Sequence, residues 1–241
     1  MELKGDPLNG IWIRDFPVYD ATSLAFGEAL MLGTTAETDD GAAITAYSNS
    51  SAEAVDFVGI CMETLTPTAL LSAGGQRGKI NMSPLAIYLI EYDLTTTMAV
   101  ASYAAPTVTI TSVENNWDSG WVYVVAGTGL GQLGYVDTVG SGVFSVDSNF
   151  ATAVDSTSTM IKILPPGHLL TALNTTALKL KSQAAAGSGV SIRIISNYFK
   201  DDGHLLTELD PDTHQAGFAG LSNPKFYAEV IFVDHFMNVL A

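Results

Sequence analysis

The sequence predicts an all-β protein with little helix, and three observations carry that. The stretch from Trp121 to Phe144, WVYVVAGTGLGQLGYVDTVGSGVF, sets two strand-like runs about a turn containing Gly127, Gly129, Gly131 and Gly134, the pattern of a long glycine-rich β-hairpin. Within it Trp121, Tyr123 and Val125 alternate with Val122, Val124 and Ala126, so both faces are apolar, as in a strand covered on both sides. Similar short strand-like runs recur along the chain, with neither a repeat of fixed period nor heptads.

Taken in order, residues 1–20 read as an irregular arm, because Pro7, Gly10 and Pro17 punctuate the aromatics Trp12, Phe16 and Tyr19 and discourage pairing within the fold. Glu28–Gly33, the acidic turn Glu37–Gly41 and Ala42–Tyr47 predict a strand, a tight loop and a strand. Ser50-Ser-Ala-Glu53 has the spacing to cap one helical turn. Strands follow at Phe57–Met62 and Ile80–Tyr92, the latter placed at an edge or bulge by Pro84. Pro106 interrupts the middle of the chain and suggests a domain boundary near 110. After the hairpin come a polar turn at Asp155–Ser158, a strand at Met160–Leu164 and a break at Pro165-Pro-Gly167. Leu169–Leu180 reads equally as helix or strand. A Gly/Ala/Ser linker at Ala184–Gly189 leads into runs at Val190–Phe199 and Phe226–Val239.

Composition narrows the function. Charged residues are 15% of the chain and apolar residues 47%, a lean charge content that fits extensive subunit contacts and predicts a homo-oligomer. The net charge of −15 repels phosphates, which argues against nucleic acid and anionic membranes as partners. Cys61 stands alone in an apolar run, as a buried small hydrophobe does. MELKGDPLNG lacks the features of a signal peptide, so synthesis inside the cell is expected. The uncharged segments Leu94–Val113 and Ser119–Val136 carry too much Thr, Gly and Pro for spanning helices and read as buried strands.

The motifs that suggest chemistry mostly fail on their own terms. Gly129-Leu-Gly131-Gln-Leu-Gly134 satisfies the dinucleotide fingerprint, yet the β-branched Tyr135–Val139 follows where a helix must begin, so the reading is a flexible hairpin tip that uses glycine for positive φ. Gly74-Gly-Gln-Arg-Gly78-Lys79-Ile80 imitates a phosphate loop, but Ala73 and Ile80 replace the required Gly and Ser/Thr; it reads as a solvated β-turn. No cofactor is expected. The four histidines lack zinc-helix spacing and there is no Gly-x-Ser-x-Gly elbow, so no catalytic residue is assigned. The remaining metal candidate is Asp210, Asp212 and His214, whose residue types also build ordinary turns.

Two stretches resemble a known family. Val18 to Glu63, with VYDATSLAFGEALMLGTT, a polar loop and FVGICME, looks like the opening region of tailed-bacteriophage capsid decoration (cement) proteins. The central GWVYVVAGTGLGQLGYV is similar to a Gly-Thr-Gly-x-Gly-Gln hairpin of such auxiliary virion proteins. The resemblance implies a β-tulip or β-barrel-like body; with the arm at 1–20 and the boundary near 110, that body is expected at 21–110 as the capsid-binding domain, and the extra length at 111–241 is expected to form a second β-rich domain. It further implies a homotrimer on the outer capsid surface of a virion, made in the bacterial cytoplasm, partnered by the phage major capsid protein and stabilising the shell by bridging capsomers. Trp12, Arg14, Phe16 and Tyr19 are of the types that anchor interfaces and are the candidate capsid or subunit contacts. Two other classes stay open: a receptor- or glycan-binding β module, for which Asn115-Asn-Trp117-Asp118 is the one hint of aromatics beside carboxylates, and a metal-dependent hydrolase.

Overall fold

The computed structural model describes residues 2–5, 13–18, 24–38, 41–46, 57–66, 76–83, 86–95, 97–111, 119–170, 173–174, 179–180, 192–202, 205–210 and 220–233. Every regular element among them is a β-strand, as the sequence predicts.

The chain opens on β1 (Glu2–Gly5) and then builds a closed barrel from β2 (Ile13–Val18), β3 (Ala29–Thr38), β4 (Gly41–Ala46), β5 (Phe57–Cys61) and β6 (Gln76–Asn81), in the order β2-β4-β3-β5-β6. The expected strand, acidic turn and strand are the β3–β4 hairpin. Two expectations are corrected here. The arm pairs within the body: β2 runs antiparallel along β6 from Ile13↔Asn81 to Val18↔Gln76 and meets β4 at Val18↔Ile44. Pro17 is the penultimate residue of β2, opposite Arg77, so the ladder it would otherwise weaken ends one residue beyond it. The supposed turn at Gly74–Ile80 is β6 from Gln76 onward, with exposed Arg77 and Lys79 alternating with buried Gly78 and Ile80. Residues 50–53 and 184–189 lie outside the described residues.

A second closed barrel follows, β10-β11-β12-β9-β8-β13, from β8 (Met98–Ala104), β9 (Thr107–Ile110), β10 (Gly120–Ala126), β11 (Leu133–Gly140), β12 (Val143–Val146) and β13 (Thr159–Ile163). Position 110 therefore does not divide the body, since β8 and β9 close the same barrel as β10 to β13. The remaining sheet runs β1-β7-β19-β17-β14, with β7 (Ile87–Glu91), β14 (Leu169–Leu170), β17 (Ile192–Lys200) and β19 (Lys225–Phe232), while β18 (Thr207–Glu208) pairs the end of β17. Leu169–Leu180 takes the strand option in β14, in β15 (Leu173–Asn174) and in β16 (Lys179–Leu180).

The barrel and the sheet share one core. Trp121, Val122, Tyr123 and Val124 of β10 are all buried, and the same cluster takes in Tyr88 and Ile90 of β7, Ile192 and Ile194 of β17, and Phe226, Ala228 and Val230 of β19. Tyr123 and Phe226 lie 5.1 Å apart between ring centres, an aromatic contact that joins the two layers. The first barrel has its own cluster of Leu24, Leu30, Val58, Cys61, Leu65, Ile80 and Met82. Cys61 is buried there as expected, and burial raises its thiol pKa.

Strand β5 serves both cores through a bulge. Against β3 the register steps from Leu30↔Gly59 to Met31↔Phe57, leaving Val58 as the extra residue. Val58 and Cys61 consequently face the small core while Ile60 enters the large one. Gly59 is required at the step, because a Cβ there would run into the backbone oxygen of Asn81. Gly59→Ala should therefore cost ~2 kcal/mol or more and lower the melting temperature in a circular-dichroism melt, whereas Ala99→Gly on half-buried β8 should cost under half of that. Deleting residues 1–17 removes β1 and most of β2, so the shortened chain should lose the cooperative melt of the first barrel.

Candidate functional site

The β10–β11 hairpin forms as expected, but its tip is fixed. Gly127, Gly129 and Gly131 have φ of 81°, 82° and 87°, the left-handed region that glycine enters without steric cost. A Cβ on Gly127 would meet the Thr157 backbone, and one on Gly131 the Leu221 oxygen. Gly134 lies inside β11 opposite Val122, where its bare Cα makes room for the ring of Phe150. No helix follows Gly134; β11 does.

The fixing agent is Gln132, which is 4% exposed. Its Nε2 donates to the Gly129 carbonyl (3.0 Å) and the Thr152 carbonyl (2.8 Å), while its Oε1 accepts from the Thr152 N–H (2.8 Å). One amide thus closes the tip onto the segment after β12. Beside it Ser158 Oγ donates to the Thr128 carbonyl (2.6 Å) and accepts from the Asp155 N–H (3.0 Å). Asp155 accepts from the Thr157 N–H (2.8 Å) and hydroxyl (2.6 Å), and these bonds hold its carboxyl below the usual range. The expectation of a flexible tip is corrected: backbone and side chain satisfy each other across about twenty residues of chain. Leu130, 60% exposed, caps this immobilised tip beside a groove of about 400 Å³ lined by Leu94, Tyr123, Val125, Pro224, Ser222 and Asn223.

A second feature adjoins through Asn223. A cleft of about 330 Å³ is lined by Lys200, Asp201, Asp202, Asn223, Lys225 and Tyr227. Its wall is the β17–β19 ladder, where Ser196↔Glu229, Tyr198↔Tyr227 and Lys200↔Lys225 lie opposite one another. A bulge between Ile194 and Ser196 sets that face. Asp201 is committed to structure, accepting from the Asn223 N–H (2.9 Å) and the Ser222 N–H (3.3 Å); the Asn223 bond leads in holding its pKa below the usual carboxylate range. Burial, then the negative charge of Asp201, pushes the Tyr123 hydroxyl up to about 12.

No family model, curated protein or solved structure matches this chain. The site therefore has to be read from its own geometry.

Of the sequence-predicted contacts, Arg14 is exposed on β2, where its guanidinium donates to the Ile13 carbonyl (3.0 Å), and the backbone of Phe16 pairs with Gly78. Trp12, Tyr19 and residues 115–118 lie outside the described residues. Asp210 is half-buried after β18, while Asp212 and His214 lie outside the described residues; among those described no three His, Cys, Asp or Glu side chains gather as a metal site. Sequence reasoning missed Gln132 and the Tyr/Lys rows. Alternation in Lys225-Phe-Tyr-Ala-Glu229 puts Lys225, Tyr227 and Glu229 on one face, but nothing local says that Lys200 and Tyr198 stand opposite.

Gln132→Ala removes three part-buried hydrogen bonds, so it should cost about 2–3 kcal/mol and speed amide exchange at 127–132 and 150–158 together. Asp155 and Asp201 have folded pKa values below their unfolded ones, so the stability they add is present above the ordinary carboxylate range of about 4 and is lost as pH falls through the depressed values. The melting temperature should drop across that window, and Asp201→Asn should flatten the drop.

Proposed function

We propose that the chain is a structural virion protein that binds the outer surface of a phage capsid as a homo-oligomer and stabilises the shell by bridging capsomers. The observation that carries the reading is the hairpin tip, in which Gln132 and Ser158 hold the exposed Leu130 at the edge of a groove lined by both apolar and polar groups. A contact element already fixed in its bound shape avoids the ordering cost of association, which suits a protein whose task is adhesion. The lean charge content and the resemblance of FVGICME and GTGLGQ to decoration proteins favour the same reading. The groove would face a capsomer or a neighbouring subunit, and exposed Arg14 offers a further contact from the first barrel.

On this reading the protein adds contacts that a burst shell lacks, raising shell stability by mass action without making or breaking a covalent bond. Saturating protein should raise the temperature at which undecorated capsids release DNA, and Leu130→Asp should weaken co-sedimentation by about tenfold or more while leaving the melt of the free protein unchanged. Light scattering coupled to size exclusion should give a trimer, not a 25.4 kDa monomer. An unchanged release temperature at full occupancy would overturn the stabilising role.

A further inference from the structure

We propose that the outer wall of the second barrel, on β8, β9 and β12, is the face through which copies of this chain contact one another. The inference rests on the homo-oligomer in the reading above and gives it a surface separate from the hairpin tip. In β9 and β12 burial alternates strictly: Val108, Ile110, Phe144 and Val146 enter the large core, so Thr107, Thr109, Val143 and Ser145 stand on the outside. The register sets Val143 opposite Thr109 and Ser145 opposite Thr107, and continues these rows to Ser102 and Ala104 of β8. On the β10 side of the same barrel the β7–β19–β17 sheet shares the core, whereas on this side Ser102, Ala104 and Thr138 are exposed.

Charge is what singles this wall out. The strands β8, β9 and β12 read MAVASYA, TVTI and VFSV, with no Asp, Glu, Lys or Arg, in a chain whose net charge is −15. Like charge holds copies apart, so a contact between them has to avoid carboxylates. The other described surfaces carry them: Asp15, Glu28 and Glu63 on the first barrel, Glu91 and Glu229 on the sheet, and Asp155 beside the hairpin tip. Here the nearest in the chain, Asp137 and Asp147, come only where β12 ends at Val146. The polar groups on the wall also match their own kind. They are hydroxyls, which both donate and accept, as Thr138 and Ser145 do with each other across β11 and β12. Rows of hydroxyl and methyl groups can therefore meet the same rows of another copy about a symmetry axis, whereas a charged partner finds nothing to pair with. A depression of about 310 Å³ lined by Thr107, Thr138, Val139, Gly140, Val143 and Ser145 gives a side chain of that copy a seat. Because the barrel is closed it offers no strand edge, and the contact is made by side chains.

Light scattering coupled to size exclusion, run on the full chain and on variants that place a carboxylate on this wall, tests the proposal. Val143→Glu and, on exposed β8, Ser102→Glu should each weaken assembly about 100-fold or more and shift the protein to its 25.4 kDa monomer. Val143→Thr, similar in shape and uncharged, should keep the parental oligomer, as should Thr207→Glu, which adds the same charge on exposed β18. Ser102 is exposed, so its variant should keep the parental far-ultraviolet circular dichroism, which separates dissociation from unfolding. A monomeric parent, or oligomers that persist in both Glu variants, would overturn the proposal, and the second result leaves the homo-oligomer itself standing. Oligomers that persist while capsid co-sedimentation is lost would give the wall to the capsid protein and overturn it as well. Dissociation of both Glu variants supports this face even where parental protein leaves the capsid release temperature unchanged, a result that removes the shell-stabilising role alone.

Discussion

Strand β10 has almost no solvent face, and that constraint organises the larger half of the molecule. Trp121, Val122, Tyr123 and Val124 are buried in succession, so both sides of the strand must be covered by other elements. The interior of the barrel that β10 closes with β11 and β13 covers one face, and the β7–β19–β17 sheet reaches the same cluster, with Tyr123 against Phe226 as the join. Neither layer can close without the other, because removing either exposes a row of large apolar side chains whose burial is worth roughly 1.5–3 kcal/mol each.

The first barrel is attached by a smaller device. A single bulge in β5 sends Ile60 into the large core while Val58 and Cys61 stay in the small one. Gly59 permits this only because it lacks a Cβ where Asn81 passes. The Val-Gly-Ile-Cys run thus has a packing reason that holds whatever the protein binds. Sequence reading alone takes the same residues as part of a family resemblance.

Both candidate surfaces are consequences of how loops are tied to this frame. The hairpin tip is rigid because a buried amide has nowhere else to find partners than the Gly129 carbonyl and the Thr152 backbone. The neighbouring cleft keeps its shape because Asp201 caps the 222–223 turn.

The sequence by itself determined the all-β class, the strand at 121–126 whose first four residues are buried on both faces while Val125 is half-buried and Ala126 exposed, the β3–β4 hairpin, the buried Cys61 and the failure of the Gly129–Gly134 fingerprint, since each depends on neighbours within a few residues: alternation, β-branching and the absence of a helix start. Tertiary structure alone decided that residues 13–18 pair with β6, that Gln132 meets Thr152 and that Lys200 stands opposite Lys225. The arm was misread because proline discourages a ladder only where its missing N–H is needed, and that depends on which strand lies alongside. The cleft was invisible because a one-residue bulge before Ser196 exchanges the two faces of β17, and no local propensity announces where a bulge will fall.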